Sequence, residues 1–380
     1  MTQPSRVEHR VVRPHLRRIA GYAVILSFVL LPVLVAFTRI DLPAQPGEAS
    51  RVQEAIFSEE SDVHPLLLSF YSGTLPVDAA ERWEADRGGV IRMARFGGML
   101  SLFAVSGSLY LLLLLVRGRA TAAMGCLALS LMPAVAQDGY ILRPEYLTTT
   151  FGLLGVMLLA GLPVMLQRRR RGLVAGLSQL CVYTTVAVTC GIAAATLGNG
   201  WIYMTIPAGA LFLSVASLAV IFPRATRDQS IVYWPFRAAA RRYVPWMLTV
   251  LASMFAVVSA RGDANEMVPR THVESGLLPA TPWLAVPLCA IAFVGAVRMG
   301  LGVSLRLGRL RRVRTDTVLF LYVAALLMQG LMMESGRDQL PAAAAFSCLV
   351  GDGALSTVLL VLGIRGKKRR ASWVEPSVGR

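Results

Sequence analysis

The sequence predicts an all-α integral membrane protein of about ten transmembrane helices, and three observations carry that prediction. Hydrophobic residues make up 55% of the 380 positions and charged ones only 16%, whereas soluble domains carry about a quarter charged residues. Mean hydropathy is +0.58. Uncharged apolar runs recur at the ~20-residue length that a ~30 Å hydrocarbon layer demands of a helix rising ~1.5 Å per residue. Lysine and arginine, finally, collect in alternate connections, as cytoplasmic loops require.

Taken in order, residues 1–18 form a basic arm with Arg6, Arg10, Arg13, Arg17 and Arg18 against one acid, Glu8. The run at 19–38 follows. It exceeds the ~7–15 residues of a signal-peptide core, so it reads as an uncleaved first helix entered from the cytoplasm. A long polar connection, 39–95, separates it from further spans at 97–116, 120–136, 147–166, 173–196, 201–222, 243–260, 282–298, 317–333 and 342–364. The membrane domain therefore covers 19–364, and 365–380 is a basic cytoplasmic tail. Counting loops alternately inside and outside places 28 of the 38 Lys and Arg inside and 17 of the 22 Asp and Glu outside. Both termini are expected in the cytoplasm of a cell whose plasma, or inner, membrane holds the chain.

The same distribution excludes other classes. A net charge of +16 could suit nucleic acid, but the bases flank apolar spans and build no groove for it. Lys367 to Arg370 suits anionic lipid heads, at ~1 kcal/mol per charge. All five cysteines lie in apolar runs, where a disulfide has no place, and the four histidines show no metal-ligand spacing. Within 39–95, Val77, Ala80, Trp83 and Val90 alternate with Asp78, Glu81, Arg82 and Glu84 at helical spacing, predicting an amphipathic helix on the membrane face.

Polar side chains gather in the outer connections. Asp62-Val63-His64-Pro65-Leu66-Leu67 lies in the first, Gln137 to Tyr146 forms the second, and Arg337-Asp338-Gln339-Leu340-Pro341 precedes the last span. These three stretches resemble, in order and sidedness, the "D-x-H-P-P-L", "s-q-E-x-R-x-Y-x-L" and "R-Y-x-L-P" elements of polyprenyl-phosphate-dependent glycosyltransferases of the GT-C fold, the family-39-like group. An acidic pair stands upstream in that group, and Gly47-Glu48 occupies its place here, so the first acid is absent. Leu66 replaces the second proline and Asp338 the tyrosine.

The resemblance implies a GT-C-like helical fold with a helical first outer loop. It also implies transfer of a sugar from a polyprenyl-phosphate lipid to an acceptor at the outer face. Such chemistry needs a carboxylate to take the acceptor proton and cations on the departing phosphate. Glu48, Asp62 and Asp138 are the catalytic candidates; His64, Arg143, Glu145, Arg337 and Asp338 are the substrate-binding ones. Some relatives hold a divalent metal with such acids, and the sequence neither demands nor excludes one.

Plainer readings stand beside these. Asp62 ahead of Pro65 also fits a helix N-cap, and Arg143 also fits an ion pair with Asp138 or Glu145. Asp352, between Gly351 and Gly353 inside the last span, must face the bundle or a wet cleft, since at a lipid face it costs ~2.5–3.5 kcal/mol. The missing acid at Gly47 equally admits a relative without catalysis that serves as a membrane scaffold or lipid-binding subunit. A transporter or flippase calls for paired charged or broken-helix sites at mid-membrane, and the sequence offers Asp352 without an inverted repeat.

Overall fold

A computed structural model describes residues 8–44, 48–57, 72–141, 144–167, 185, 278–279, 281–307, 315–332 and 339–361. Among these residues the secondary structure is helical, with no strand. The helices are α1 (Glu8–Phe37), α2 (Glu48–Ile56), α3 (Ala79–Ala85), α4 (Arg87–Val116), α5 (Arg119–Leu131), α6 (Pro133–Ala136), α7 (Pro144–Gln167), α8 (Pro282–Leu307), α9 (Thr315–Met332) and α10 (Leu340–Val361). A membrane offers the backbone no hydrogen bonds, so apolar runs of this length close their own as helices. Three stretches, Arg87–Val116, Pro282–Leu301 and Leu340–Leu359, are long and apolar enough to cross a bilayer. Gly21–Phe37, Arg119–Leu131, Tyr146–Ala160 and Val318–Leu327 are shorter apolar helices. The spans expected at 173–196, 201–222 and 243–260 lie, Thr185 apart, outside the described residues.

Three expectations change. The helix expected at 97–116 starts at Arg87, because the Asp86 carboxylate accepts from the Gly89 N–H at 2.9 Å and caps it. Its thirty residues reach ~45 Å, longer than the ~30 Å hydrocarbon layer. The span expected at 120–136 ends at Leu131, where Met132 is extended before Pro133, the residue type that biases its predecessor away from helix. The amphipathic helix expected on the membrane face is α3, but its Trp83 is 1% exposed and packs with Val52 and Ala55 of α2 and Val90, Ile91 and Ala94 of α4. The apolar side of α3 is spent on protein, and Val77 stands exposed.

Helix α10 is the centre of the bundle: 72% of its span is buried, against 22% for α8. It packs on α8, α5, α9 and α7, while α4 packs on α7, α5 and α1. Small residues let α10 approach so closely. A Cβ on Gly353 would overlap the Ile291 carbonyl of α8, one on Gly295 would overlap the Leu349 carbonyl, and one on Gly351 would sit 2.8 Å from the Thr121 carbonyl. Backbones in contact gain dispersion and weak polar contacts, which drive helix association where lipid is as apolar as protein. Gly353→Val is expected to force α8 and α10 apart and lower the melting temperature in detergent by several degrees. The same change at Gly300, which meets nothing within 4 Å, should leave it within about a degree.

Helices α4 and α5 join through Arg117 and Gly118. The Gly118 φ of 104° is in the left-handed region that glycine enters without strain. The Arg117 and Gly118 N–H groups both donate to the Leu113 carbonyl, at 2.8 and 3.0 Å, closing the helix end.

Candidate functional site

The end of the bundle opposite Gly118 is organised by Arg95. Arg95 lies on α4 in the same helical stripe as Ile91, Ala94, Gly98 and Leu102, all buried, and is itself 2% exposed. All five of its N–H donors are used. Nε donates to Glu48 Oε1 at 2.8 Å and Nη2 to Glu48 Oε2 at 2.9 Å. Nη1 donates to the carbonyls of Ile40 and Leu42, and Nη2 also to that of Pro43 at 3.3 Å. Those carbonyls belong to the turns that unwind α1, where helix ends leave acceptors without intrahelical donors. Glu48 opens α2, where its charge also suits the helix dipole.

The second connection lies over the guanidinium. Arg95 Cζ lies 4.8 Å from the centre of the Tyr140 ring, a cation–π contact strengthened by burial. Tyr140 belongs to the turn 137–141, which also carries Asp138 and is fixed from α7, where Tyr146 donates its hydroxyl to the Gly139 carbonyl at 2.7 Å. One helical turn beyond Arg95, two glycines seat both connections. A Cβ on Gly97 would meet the Thr74 side chain, and one on Gly98 would come within 3.0 Å of the Tyr140 and Ile141 carbonyls. Residues 95–98 of α4 are therefore where the first and second connections meet.

The candidates from sequence are placed as follows. Glu48 and Asp138 both lie in this assembly, each 5% exposed. The two carboxylate oxygens of Glu48, expected to meet an acceptor hydroxyl, instead face Arg95. Asp138 lies in the turn that carries Tyr140, and its backbone carbonyl accepts from the Ile141 N–H at 3.1 Å. Asp62, His64, Arg143, Arg337 and Asp338 lie outside the described residues, and of Glu145 only its place in the first turn of α7 is described. Residues 339–361 are described: α5 and α10 run antiparallel, Gly351 beside Thr121 and Ser347 beside Gly125. That register carries the start of α10, at Leu340, toward Pro133 and the turn 137–141. Among the described residues no three His, Cys, Asp or Glu side chains gather as a divalent ion needs, and Glu48 is committed to Arg95. These residues do not form a metal donor set.

Sequence reading missed Arg95. Its signal was available: counting in steps of three and four from Ile91 puts it on the apolar stripe, where an arginine needs a partner.

A second ionic group lies toward the Gly118 end. Asp352 is fully buried, with Oδ1 3.2 Å from Arg117 Nε and 3.4 Å from Arg298 Nη1. Arg298 also donates to the Asp352 carbonyl, at 3.3 Å, and to the Ser356 hydroxyl oxygen. Asp352 thus faces the bundle, as expected of an acid inside a span, and its partners come from the α4–α5 turn and from α8.

No protein-family model and no curated protein sequence matches this chain. Solved structures do. The archaeal oligosaccharyltransferase AglB from Archaeoglobus fulgidus, in complex with an inhibitory peptide and a dolichol-phosphate, superposes with a TM-score of 0.53 at 12% identity, over 89% of this chain and 51% of that one. The apo form of the same enzyme gives the same values. ArnT from Cupriavidus metallidurans aligns more loosely, with a TM-score of 0.44 at 16% identity, over 91% of this chain and 63% of that one. The chain spans about half the length of the oligosaccharyltransferase. At such identity the likeness shows the fold alone, a GT-C-type helical fold like that of the archaeal oligosaccharyltransferase.

Proposed function

We propose that the chain is a glycosyltransferase-like membrane protein that moves a sugar from a polyprenyl-phosphate carrier to an acceptor at the outer face of the plasma membrane. It would cross that membrane ten times with both termini inside. The observation that carries this reading is the meeting of the first and second connections on residues 95–98 of α4, with Glu48 and the Asp138 turn held on one guanidinium. The start of α10 heads to the same end. In this proposal that frame would bring the candidate acids and arginines of separate connections within reach of one substrate.

In this proposal Asp62 and Asp138 are the carboxylates that take the acceptor proton as the bond to the sugar forms. Arg143 and Arg337 hold the phosphate that leaves, with His64 as a further donor and Glu145 and Asp338 beside the acceptor. Glu48 acts as a positioning residue: its oxygens are occupied by Arg95, and it fixes the root of the first connection. Asp62→Asn and Asp138→Asn, each made alone, should lower transfer from a radiolabelled polyprenyl-phosphate sugar in isolated membranes by about 10²-fold or more. Protein level and melting temperature should stay unchanged. Full transfer by both variants ends the catalytic reading.

One observation favours a second reading, a GT-C-like scaffold or lipid-binding subunit without catalysis. With Gly47 in place of the first acid, Glu48 is the acid left at that position, and it is taken up in a buried ion pair. That reading expects a stoichiometric partner protein on purification and no transfer by the unmodified chain.

A further inference from the structure

We propose that Arg298 holds the phosphate of a membrane phospholipid, in the leaflet at the Gly118 end of the bundle. The guanidinium is divided. Its Nη1 turns inward to Asp352 and Ser356, and the side chain is nevertheless 40% exposed. Asp352 is shared with Arg117, whose Nε lies closer, at 3.2 Å, so this one carboxylate meets only part of the charge on Arg298. The contacts of Arg298 with Asp352 and Ser356 all run through Nη1, and Nε and Nη2 make no hydrogen bond to the described residues.

What those donors meet follows from the helix that carries them. On α8, Val286, Phe293, Val294, Val297 and Leu301 are exposed, an apolar surface of the kind a spanning helix shows to lipid. The apolar span of α8 runs from Pro282, beside the interfacial type Trp283, to Leu301. Arg298 is thus one turn inside the far edge of the span, ~5 Å along the axis. An arginine side chain reaches that far to the interface. The anion at that depth is the phospholipid phosphate. Two N–H groups of one guanidinium match two phosphate oxygens as a fork, which a lysine cannot do. Ser356 and Asp352 hold the inner edge of the guanidinium and so fix the direction of the fork. No part of this depends on sugar transfer.

The test uses the full chain in detergent, delipidated and titrated with phosphatidylglycerol, with diacylglycerol of the same chains, or with inorganic phosphate. Retained lipid is counted by native mass spectrometry and melting temperature is read in parallel. Phosphatidylglycerol should bind and raise the melting temperature, and diacylglycerol should do so at least tenfold more weakly. Inorganic phosphate at the same concentration should give no shift. Arg298→Gln should weaken phosphatidylglycerol binding about tenfold, and Arg298→Lys should recover only part of it. If Arg298→Gln does not fold, the comparison of the two lipids on the unmodified chain decides. Equal response to phosphatidylglycerol and diacylglycerol, or undiminished lipid binding by a folded Arg298→Gln, overturns the proposal, and a response to inorganic phosphate alone overturns its lipid part.

Discussion

Arg95→Met is expected to destabilise the folded chain by about 3–5 kcal/mol, the cost of removing one partner from a buried ion pair. The magnitude follows from what remains. Glu48 is 5% exposed and would keep a carboxylate with neither of its two guanidinium bonds. The carbonyls of Ile40, Leu42 and Pro43 would lose their donor as well. Arg95→Lys should fail nearly as badly, because one ammonium cannot replace a planar fork reaching three carbonyls and both carboxylate oxygens. Pairing Arg95→Met with Glu48→Gln should recover part of the loss, since two neutral groups of similar volume no longer bury a lone charge. Thermal unfolding in detergent by tryptophan fluorescence checks the series, Trp83 reporting on the same cluster of α2, α3 and α4. A change below ~1 kcal/mol for Arg95→Met would show that the pair holds nothing. If the proposed function is right, transfer falls with Arg95→Met even at temperatures where the protein stays folded, because the root of the first connection is no longer fixed.

Much of the bundle was legible in the sequence because lipid leaves so few choices. A run such as 342–364 has no way to satisfy its backbone but a helix, and α10 covers most of it. Boundaries were less legible where a polar residue belongs to a helix interior. The charged stretch Arg87 to Arg95 reads as loop by hydropathy, but the Asp86 cap and the buried stripe through Arg95 make it the start of α4. Hydropathy also smoothed over Met132-Pro133, where one proline divides an apolar run.

The site was legible only in part, for a different reason. The sequence shows that Glu48 and Asp138 are acids in polar connections between apolar runs, and it cannot show that forty-seven positions later a guanidinium claims Glu48. Ion pairs between distant residues carry no local signature. Asp352 shows the same limit: its glycine neighbours and its place in a span announced burial, and its partners Arg117 and Arg298 looked like ordinary interfacial bases.

Those partners make Asp352 the second site of large effect. Asp352→Ala should cost about 3 kcal/mol, the lower part of the range for a broken buried pair. It would leave Arg117 and Arg298 converging on an empty position at the junction of α5, α8 and α10. The two arginines do not suffer equally. Arg298 is 40% exposed and can withdraw toward the membrane surface, so most of the loss falls on Arg117, which is 12% exposed and fixed at the tight α4–α5 turn. Arg298→Met in the native background should therefore cost less than Asp352→Ala, and combining it with Asp352→Ala should recover little. Arg117→Met combined with Asp352→Ala should recover more. Asp352→Glu tests space rather than charge: glycines on either side hold α8 and α5 against α10, so one added methylene should destabilise although the charge is kept. Melting temperatures of these variants, compared as double-mutant cycles, separate the two pairs. An Arg298 coupling as large as that of Arg117 would mean that the exposed arginine carries the junction, and the ranking drawn from burial would fail.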